Sequence, residues 1–197
     1  MKKTRHLDLG CGLTPRNPYL CSELFGCDVR AISDEVSKLG FTYAQVNLVT
    51  QKIPFPDNYF DSVSAFDFFE HVPRQIVLPS GVGRNSFVEL MSEIHRVLTP
   101  GGKLLAVTPC YPHPEAFRDP THVNIITAET HEYFTGAQPA AAMYGFTGRF
   151  EVIKVGWDSP VNVIDGIASP LRKWLRRTHR KLFRGGLSHQ LWELKKY

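Results

Sequence analysis

The 197-residue sequence lacks any run of about 18 consecutive apolar residues, so we expect no transmembrane helix. It contains four cysteines but no C-x-x-C pair, and the C-x-x-H spacing of Cys110 and His113 has no second ligand pair. No apolar stretch follows the basic residues 1–5, so no secretory signal is expected. These absences predict a cytoplasmic protein with reduced thiols and without a structural zinc site.

Acidic side chains are missing from one segment, residues 169–184, which holds seven Lys and Arg and accounts for the net charge of +4. The rest of the chain is slightly acidic, so nucleic-acid binding, which spreads basic residues over a face, is less expected. On a helix, the apolar residues of this segment gather on one side. The segment can pack on the body, lie on the anionic inner surface of a membrane, or attract an acidic substrate.

Strand and helix patterns alternate along the chain, which is typical of an α/β fold. We expect strands at Arg5–Leu9, Glu23–Val29, Tyr43–Asn47, Phe60–Phe66, Lys103–Thr108, Phe150–Trp157 and His189–Lys196. Helices are expected at Ser33–Leu39, Ser86–Leu98 and Ala128–Phe134. With no convincing boundary, we interpret 1–197 as a single domain with a basic helical insertion at about 160–187 between the last two strands.

The first strand ends in Gly10-Cys11-Gly12, and a Gly-x-Gly turn lets a ligand approach the backbone closely. In dinucleotide-binding folds, a third glycine and a full helix hold the pyrophosphate, but Pro15 stands at that place here. Asp28 lies at the predicted end of strand two, where a carboxylate can accept both hydroxyls of a ribose. The glycine turn and Asp28, without a third glycine, favour a cofactor that contains a nucleoside but no pyrophosphate over NAD.

Five segments then resemble, in order, the motifs of class I S-adenosylmethionine (SAM)-dependent methyltransferases of the type-11-like group. They are LDLGCG (7–12), GCDVR (26–30), IPFPDNYFD (53–61), FEHVPR (69–74) and EIHRVLTPGGKL (93–104). The resemblance implies a Rossmann-like, mostly parallel seven-stranded sheet in the order 3-2-1-4-5-7-6, with strand 7 antiparallel. It also implies SAM as the methyl donor and S-adenosylhomocysteine as the product. TPCYPHPEAFRDPTHVN (108–124) is similar to bacterial members often associated with glycan biosynthesis.

The resemblance implies a set of cofactor contacts at the carboxyl ends of the strands. These are Asp8, Gly10, Gly12, Asp28, Asn47, Leu48 and Phe66. Within this set, Asp28 takes the ribose hydroxyls, and Asn47 stands where the family usually has an acid at the adenine edge. The N-terminal helices that usually cover the cofactor precede strand one in the family. Strand one starts almost at Met1 here, so we expect another segment as a lid or a more open site.

Methyl transfer to a hydroxyl needs a proton acceptor, and histidine suits neutral pH. Candidates follow the fourth and fifth strands, since loops past the carboxyl ends of parallel strands bind ligands. We expect His71 or His122 to be the base, with Asp67 and Asp119 as further catalytic residues. Their spacing matches no metal motif, so no metal site is predicted.

We therefore expect a SAM-dependent methyltransferase that acts on a hydroxyl of a small-molecule or glycan-linked acceptor. Two alternatives remain open. The basic segment alone supports an RNA methyltransferase. The missing cover over the cofactor favours a non-catalytic protein that binds SAM or a nucleotide, which the acceptor-side histidines oppose.

Overall fold

A computed structural model of the protein describes residues 3–32, 40–164, 169–183 and 186–197. Its strands are β1 (Arg5–Leu9), β2 (Glu23–Asp28), β3 (Thr42–Gln45), β4 (Phe60–Phe66), β5 (Ile76–Val77), β6 (Gly83–Arg84), β7 (Leu98–Pro109), β8 (Phe150–Asp158) and β9 (His189–Lys196). Its helices are α1 (Ser86–Val97), α2 (Glu115–Arg118), α3 (Pro160–Ile164) and α4 (Pro170–Phe183). Three 3₁₀ turns cover Phe69–His71, Thr130–Phe134 and Ala140–Tyr144.

Seven of the strands form one sheet in the order β3-β2-β1-β4-β7-β9-β8, and β5 pairs with β6 in a separate hairpin. The first five strands in this order, β3, β2, β1, β4 and β7, are parallel to one another, whereas β9 is antiparallel to both of its neighbours. This is the expected order 3-2-1-4-5-7-6 with an antiparallel last strand, so the prediction of the α/β Rossmann-like fold is confirmed. The carboxyl ends of β1, β2, β4 and β7 consequently share one edge of the sheet.

The main core lies between the sheet and α1, because β1 and β4 are buried along their length and α1 turns an apolar stripe toward them. Phe87, Leu90, Met91 and Ile94 of α1 are all buried. Full burial of each such side chain stabilises the fold by about 1.5–3 kcal/mol. The predicted helix at Ala128–Phe134 is shorter in the structure, where Thr130–Phe134 forms a 3₁₀ turn.

No helix follows β1 within the described residues before β2; an ordered loop of turns lies there, as expected from its prolines. Tyr19 of this loop donates a hydrogen bond to Glu193 in β9 at 3.0 Å. Arg16 places its guanidinium 4.7 Å from the centre of the Phe66 ring. The loop therefore packs on the sheet face that a crossover helix would otherwise cover.

The basic helix α4 lies between β8 and β9, as expected, although residues 165–168 and 184–185 of the insertion lie outside the described residues. The predicted helix at Ser33–Leu39 falls outside them as well. Leu171, Trp174 and Leu182 of α4 are 66%, 59% and 69% exposed, so these side chains do not pack on the body. Among the described residues, no helix is long and apolar enough to cross a membrane.

Candidate active site

The glycine loop follows β1, and its two glycines have the positive φ values that favour glycine: +62° at Gly10 and +61° at Gly12. A Cβ atom at Gly10 would lie 2.5 Å from the ring of Phe68, and one at Gly12 would lie 3.0 Å from Nη2 of Arg30. Both positions therefore need glycine for their backbone conformation, and Gly10 also needs it because the Phe68 ring lies too close for a Cβ.

Asp8 lies at the end of β1 and is fully buried. One of its carboxylate oxygens accepts the N–H of Arg16 at 2.8 Å, and the other accepts the hydroxyl of Ser64 at 2.5 Å. Burial raises the pKa of Asp8 to about 6, against the opposing effect of these hydrogen bonds. In this arrangement Asp8 ties the loop after Gly12 to the sheet.

Asp28, at the end of β2, accepts the N–H of Gly12 at 2.8 Å and the N–H of Arg30 at 3.0 Å. The Arg30 guanidinium also lies 3.1 Å from the same carboxylate. Burial alone would raise the pKa of Asp28, but the hydrogen bonds from Arg30 and Gly12 outweigh it and the net shift is downward. These contacts favour the ionised form of Asp28 at the edge of the glycine loop, where the side chain of Arg30 lies across its carboxylate.

The remaining predicted cofactor residues occupy different surroundings. The side-chain oxygen of Asn47 accepts the N–H of Val49 at 3.1 Å and so closes a turn after β3. Leu48 is buried in the main core, and Phe66 is buried in a second cluster with Leu105 and Val107. These three contacts with the cofactor remain predictions.

A cleft of about 580 Å³ opens beyond the carboxyl ends of β4 and β7. We call it the acceptor cleft. Its lining includes all four predicted catalytic residues, Asp67, His71, Asp119 and His122, together with Glu70 and His189. Two segments distant in sequence meet here, because the carbonyl of Glu70 accepts the N–H groups of Val123 and Asn124, each at 2.9 Å.

Both predicted bases are held by their Nδ1 atoms. His122 Nδ1 lies 3.1 Å from the carbonyl oxygen of Ala116, which can only accept, so Nδ1 carries the proton. His71 Nδ1 lies 3.1 Å from the Thr121 hydroxyl, which itself donates to Asp119 at 2.7 Å. That hydroxyl must then accept from His71, and each imidazole retains an Nε2 lone pair.

Glu70 is the most buried acid of the acceptor cleft, with 1% of its surface exposed. Its Oε2 accepts the hydroxyl of Thr108 at 2.8 Å, whereas its Oε1 has no hydrogen-bond partner among the described residues. The nearest imidazole atom is Nε2 of His122, 4.0 Å away. Burial raises the pKa of Glu70 to about 8.

His189 is a cleft residue that the sequence analysis missed. Its Nε2 lies 2.9 Å from Oδ1 of Asp67, and its Nδ1 lies 2.8 Å from the hydroxyl of Ser188. Asp67 can point this way because its φ is +50°, which turns the chain sharply after β4. His189 is the first residue of β9, and only the pairing of β9 with β7 brings it here; no local sequence signal marks it.

Comparison with known proteins shows the family of this chain. A family model described as a methyltransferase domain matches residues 7–106, just over half of the chain. The chain belongs to the methyltransferase family. The expectation of the SAM-dependent family, with S-adenosylmethionine as its cofactor, is confirmed at that level. No match is found among curated proteins.

Solved structures support the fold. Phosphoethanolamine N-methyltransferase 2 of Haemonchus contortus, in complex with SAM, has a TM-score of 0.60 at 18% identity, covering 100% of this chain and 49% of that chain. A SAM-dependent methyltransferase of Mesorhizobium loti has a TM-score of 0.57 at 17% identity, covering 98% of this chain and 91% of that chain. The [4+2]-cyclase SpnF has a TM-score of 0.57 at 17% identity, covering 98% of this chain and 74% of that chain. Since a cyclase shares this fold, the fold alone does not define the reaction.

The glycine loop fits the nucleoside end of SAM. A Cβ at Gly12 would meet the end of the Arg30 side chain, and the Asp28 carboxylate lies at the end of β2, where the predicted ribose contact falls. The side chain of Arg30 lies across this carboxylate, and 63% of that side chain is exposed. An exposed ion pair of this kind is worth about 0–1 kcal/mol, so Arg30 can turn away at little cost.

Proposed function

We propose that the protein transfers a methyl group from SAM to a hydroxyl of a small-molecule or glycan-linked acceptor bound in the acceptor cleft. One observation carries this proposal: two imidazoles, His71 and His122, line the cleft with Nδ1 fixed and Nε2 able to accept a proton. The cleft is adjacent to the glycine loop, because the ring that lies over Gly10 belongs to Phe68, within the segment that leads to His71.

The acceptor class follows from the lining of the cleft. Asp67, Glu115 and Asp119 supply carboxylates that accept hydrogen bonds from hydroxyl groups, and Arg118 supplies a donor. Polyhydroxylated molecules such as sugars satisfy both kinds of group. An acceptor that carries several hydroxyls is therefore preferred over an apolar one.

In the proposed reaction, SAM supplies a methyl group that is already activated on a sulfonium. The protein contributes position: Asp28 holds the ribose hydroxyls, and the acceptor cleft holds the attacking hydroxyl in line. Nε2 of His71 takes the proton of that hydroxyl. Asp119, through Thr121, then stabilises the protonated imidazole, since its carboxylate accepts the hydroxyl to which Nδ1 donates.

The test is methyl transfer by His71→Ala and His122→Ala, measured by mass spectrometry on sugar and small-molecule alcohols. Loss of a general base lowers turnover by about 10²–10⁴-fold, so at least one variant should lose activity on this scale. SAM affinity, measured by calorimetry, should stay near normal. His113→Ala is the matched control, because His113 lies in the same segment, does not line the acceptor cleft as the described residues form it, and accepts a local backbone N–H from Glu115.

Full turnover in both histidine variants would remove these residues from the reaction. Binding of NAD without binding of SAM would contradict the proposed function as a whole.

We also propose that α4 contacts an anionic membrane surface. Arg177 of this helix is turned toward the body, where it donates to the carbonyl of Trp157 at 3.0 Å. The apolar side chains Leu171, Trp174 and Leu182 are turned to solvent on a helix rich in Lys and Arg. A basic helix with exposed Leu and Trp is suited to the interface of an acidic lipid bilayer.

Vesicle sedimentation tests this partner. The protein should pellet at low salt with phosphatidylglycerol vesicles and stay in solution with phosphatidylcholine vesicles. Trp174→Ser should lower the bound fraction, whereas Tyr144→Ser, at another exposed aromatic side chain, should not. The proposal is wrong if no pelleting occurs at low salt, or if Trp174→Ser instead abolishes self-association of the protein in solution.

A further inference from the structure

Glu70, His71 and His122 form a cluster whose geometry goes beyond a pair of bases. One ligand atom from each residue lies within 4.8 Å of the other two, and the Glu70 oxygen is 4.0 Å from Nε2 of His122. Two imidazole nitrogens and one carboxylate oxygen are a donor set that zinc and several other divalent transition metals bind in proteins.

The buried carboxylate supports a cation at this place. Glu70 is almost fully buried, and its Oε1 has no hydrogen-bond partner among the described residues, although Oε2 is bonded to Thr108. Buried polar atoms normally have a partner, so a free oxygen on the wall of a cleft offers a ligand atom to a bound cation. His122 cannot replace a cation here while it is neutral, and its Nε2 is 4.0 Å from Oε1, too far for a hydrogen bond.

The groups behind the two imidazoles support the same conclusion. Histidines that bind a metal usually donate their other N–H to a carbonyl or carboxylate, which fixes the tautomer and the orientation of the ring. His122 donates Nδ1–H to the carbonyl of Ala116, and His71 donates Nδ1–H to Thr121, which is bonded to Asp119. Both rings are therefore held with Nε2 as the remaining ligand atom.

We infer that Glu70, His71 and His122 form a binding site for a divalent transition-metal ion of the zinc type, open on its fourth side to the acceptor cleft. Zinc ligands at about 2.0–2.2 Å in a tetrahedron are about 3.4 Å apart. From separations of 4.0–4.8 Å, each side chain has to move by less than about 1 Å. The sequence analysis predicted no metal because the spacing of the candidates matches no metal motif, whereas the folded chain brings Glu70, His71 and His122 together.

The role of such an ion rests on the proposed function, although its binding does not. An ion with an open position toward the acceptor cleft can hold and polarise the acceptor hydroxyl. With the ion bound, both Nε2 atoms are ligands, so His71 no longer serves as the base, and the Asp67 carboxylate, which lines the same cleft, takes the proton of the hydroxyl instead.

Calorimetry with the metal alone tests the site in the full chain after treatment with a chelator. Zn²⁺ should bind with a stoichiometry of one, and Mg²⁺, which prefers oxygen ligands, should bind much more weakly. Glu70→Gln and His122→Ala should each lower Zn²⁺ affinity by at least about 100-fold, the upper end of the loss caused by removing outer-shell partners. His113→Ala should leave it unchanged.

A second measurement does not depend on variants that fold. The wild-type protein loaded with Co²⁺ should show the visible absorption of a site with nitrogen ligands. Added Zn²⁺ should displace the Co²⁺ and abolish this absorption. The inference is overturned if the wild-type protein binds no Zn²⁺, or if Glu70→Gln and His122→Ala both bind Zn²⁺ as tightly as the wild type.

The two proposals fail in different ways. Methyl transfer that survives a chelator but is lost in His71→Ala would leave the proposed function intact and overturn the metal role. Zn²⁺ binding at Glu70 and His122 without methyl transfer to any hydroxyl acceptor would support the metal site and overturn the proposed function.

Discussion

The glycine loop and the acceptor cleft follow neighbouring strands, β1 and β4, and they differ in how far the protein satisfies its own polar groups. At the glycine loop, both oxygens of Asp8 and both oxygens of Asp28 accept hydrogen bonds from the chain. In the acceptor cleft, Oε1 of Glu70 has no such partner among the described residues.

This difference separates a region that is complete in the free protein from one that is prepared for a ligand. Buried polar groups are normally paired, so an unpaired one in a cleft indicates a missing partner. The glycine loop can take a nucleoside only by exchanging the guanidinium of Arg30 for ribose hydroxyls. The cleft can take a cation or a hydroxyl without breaking any hydrogen bond described here.

The largest predicted effect is on the pH dependence of stability, and it concerns Asp8, whose carboxylate is hydrogen-bonded but buried. Its pKa is raised from 3.8 to about 6 in the folded protein, so ionisation is less favourable there than in the unfolded chain. The stability that Asp8 contributes is therefore greatest below pH 3.8 and is lost as the pH rises through about 6. In Asp8→Asn this loss should be absent.

Urea unfolding of both proteins between pH 3.5 and about 7 checks this prediction. Relative to the wild type, Asp8→Asn should gain about 3 kcal/mol across this range, since two pKa units correspond to this free energy. Burial lowers the pKa of His6 to about 4 and gives an opposite dependence. Because Ser64 links His6 to Asp8, both proteins are compared in a His6→Gln background. If the free energies of unfolding of the two proteins differ by the same amount at all pH values, the pKa of Asp8 is not raised in the folded protein.

A smaller pair of effects with opposite signs concerns Asp28 and Arg30. Asp28→Asn should weaken SAM binding by roughly 10- to 150-fold, because a hydrogen bond to a charged group is worth about 1.5–3 kcal/mol. Arg30→Ala should strengthen it by up to about fivefold, because it removes an exposed competitor worth at most about 1 kcal/mol. Calorimetry with SAM measures both.

The controls for this pair are Asp57→Asn and Lys195→Ala, which remove exposed members of other ion pairs. Weaker SAM binding in Arg30→Ala would mean that Arg30 is a ligand of the cofactor rather than its competitor. Unchanged binding in Asp28→Asn would place the ribose elsewhere.

Much of the fold could be predicted from the sequence, because local patterns carry it. β1, β4 and β9 have the predicted bounds, and α1 differs from its prediction by one residue. The 3₁₀ turn at Thr130–Phe134 was predicted as a longer helix, since the apolar residues of this stretch, such as Phe134, are buried by long-range packing rather than by helix periodicity. The exposure of individual side chains could not be predicted from the sequence either, as the solvent-facing apolar side chains of α4 show.

The candidate site divides in the same way. Gly10, Gly12 and Asp28 could be predicted because each follows directly from a strand end, and a turn that needs glycine can be recognised locally. The partners of Glu70 and His71 could not, because they depend on contacts across about 50 residues of chain, such as the 2.9 Å bond from Val123 N–H to the Glu70 carbonyl.

The sequence by itself determined the alternation of strands and helices, the glycine loop and the family motifs, since these are encoded in periodicity and in short stretches of chain, and the strand order came from the resemblance to the family. Only the tertiary structure decided that Arg30 lies across Asp28, that His189 joins Asp67, and that Glu70 completes a cluster with His71 and His122. The physical reason is that an unpaired buried oxygen is defined by everything packed around it, and no local stretch of sequence contains that information.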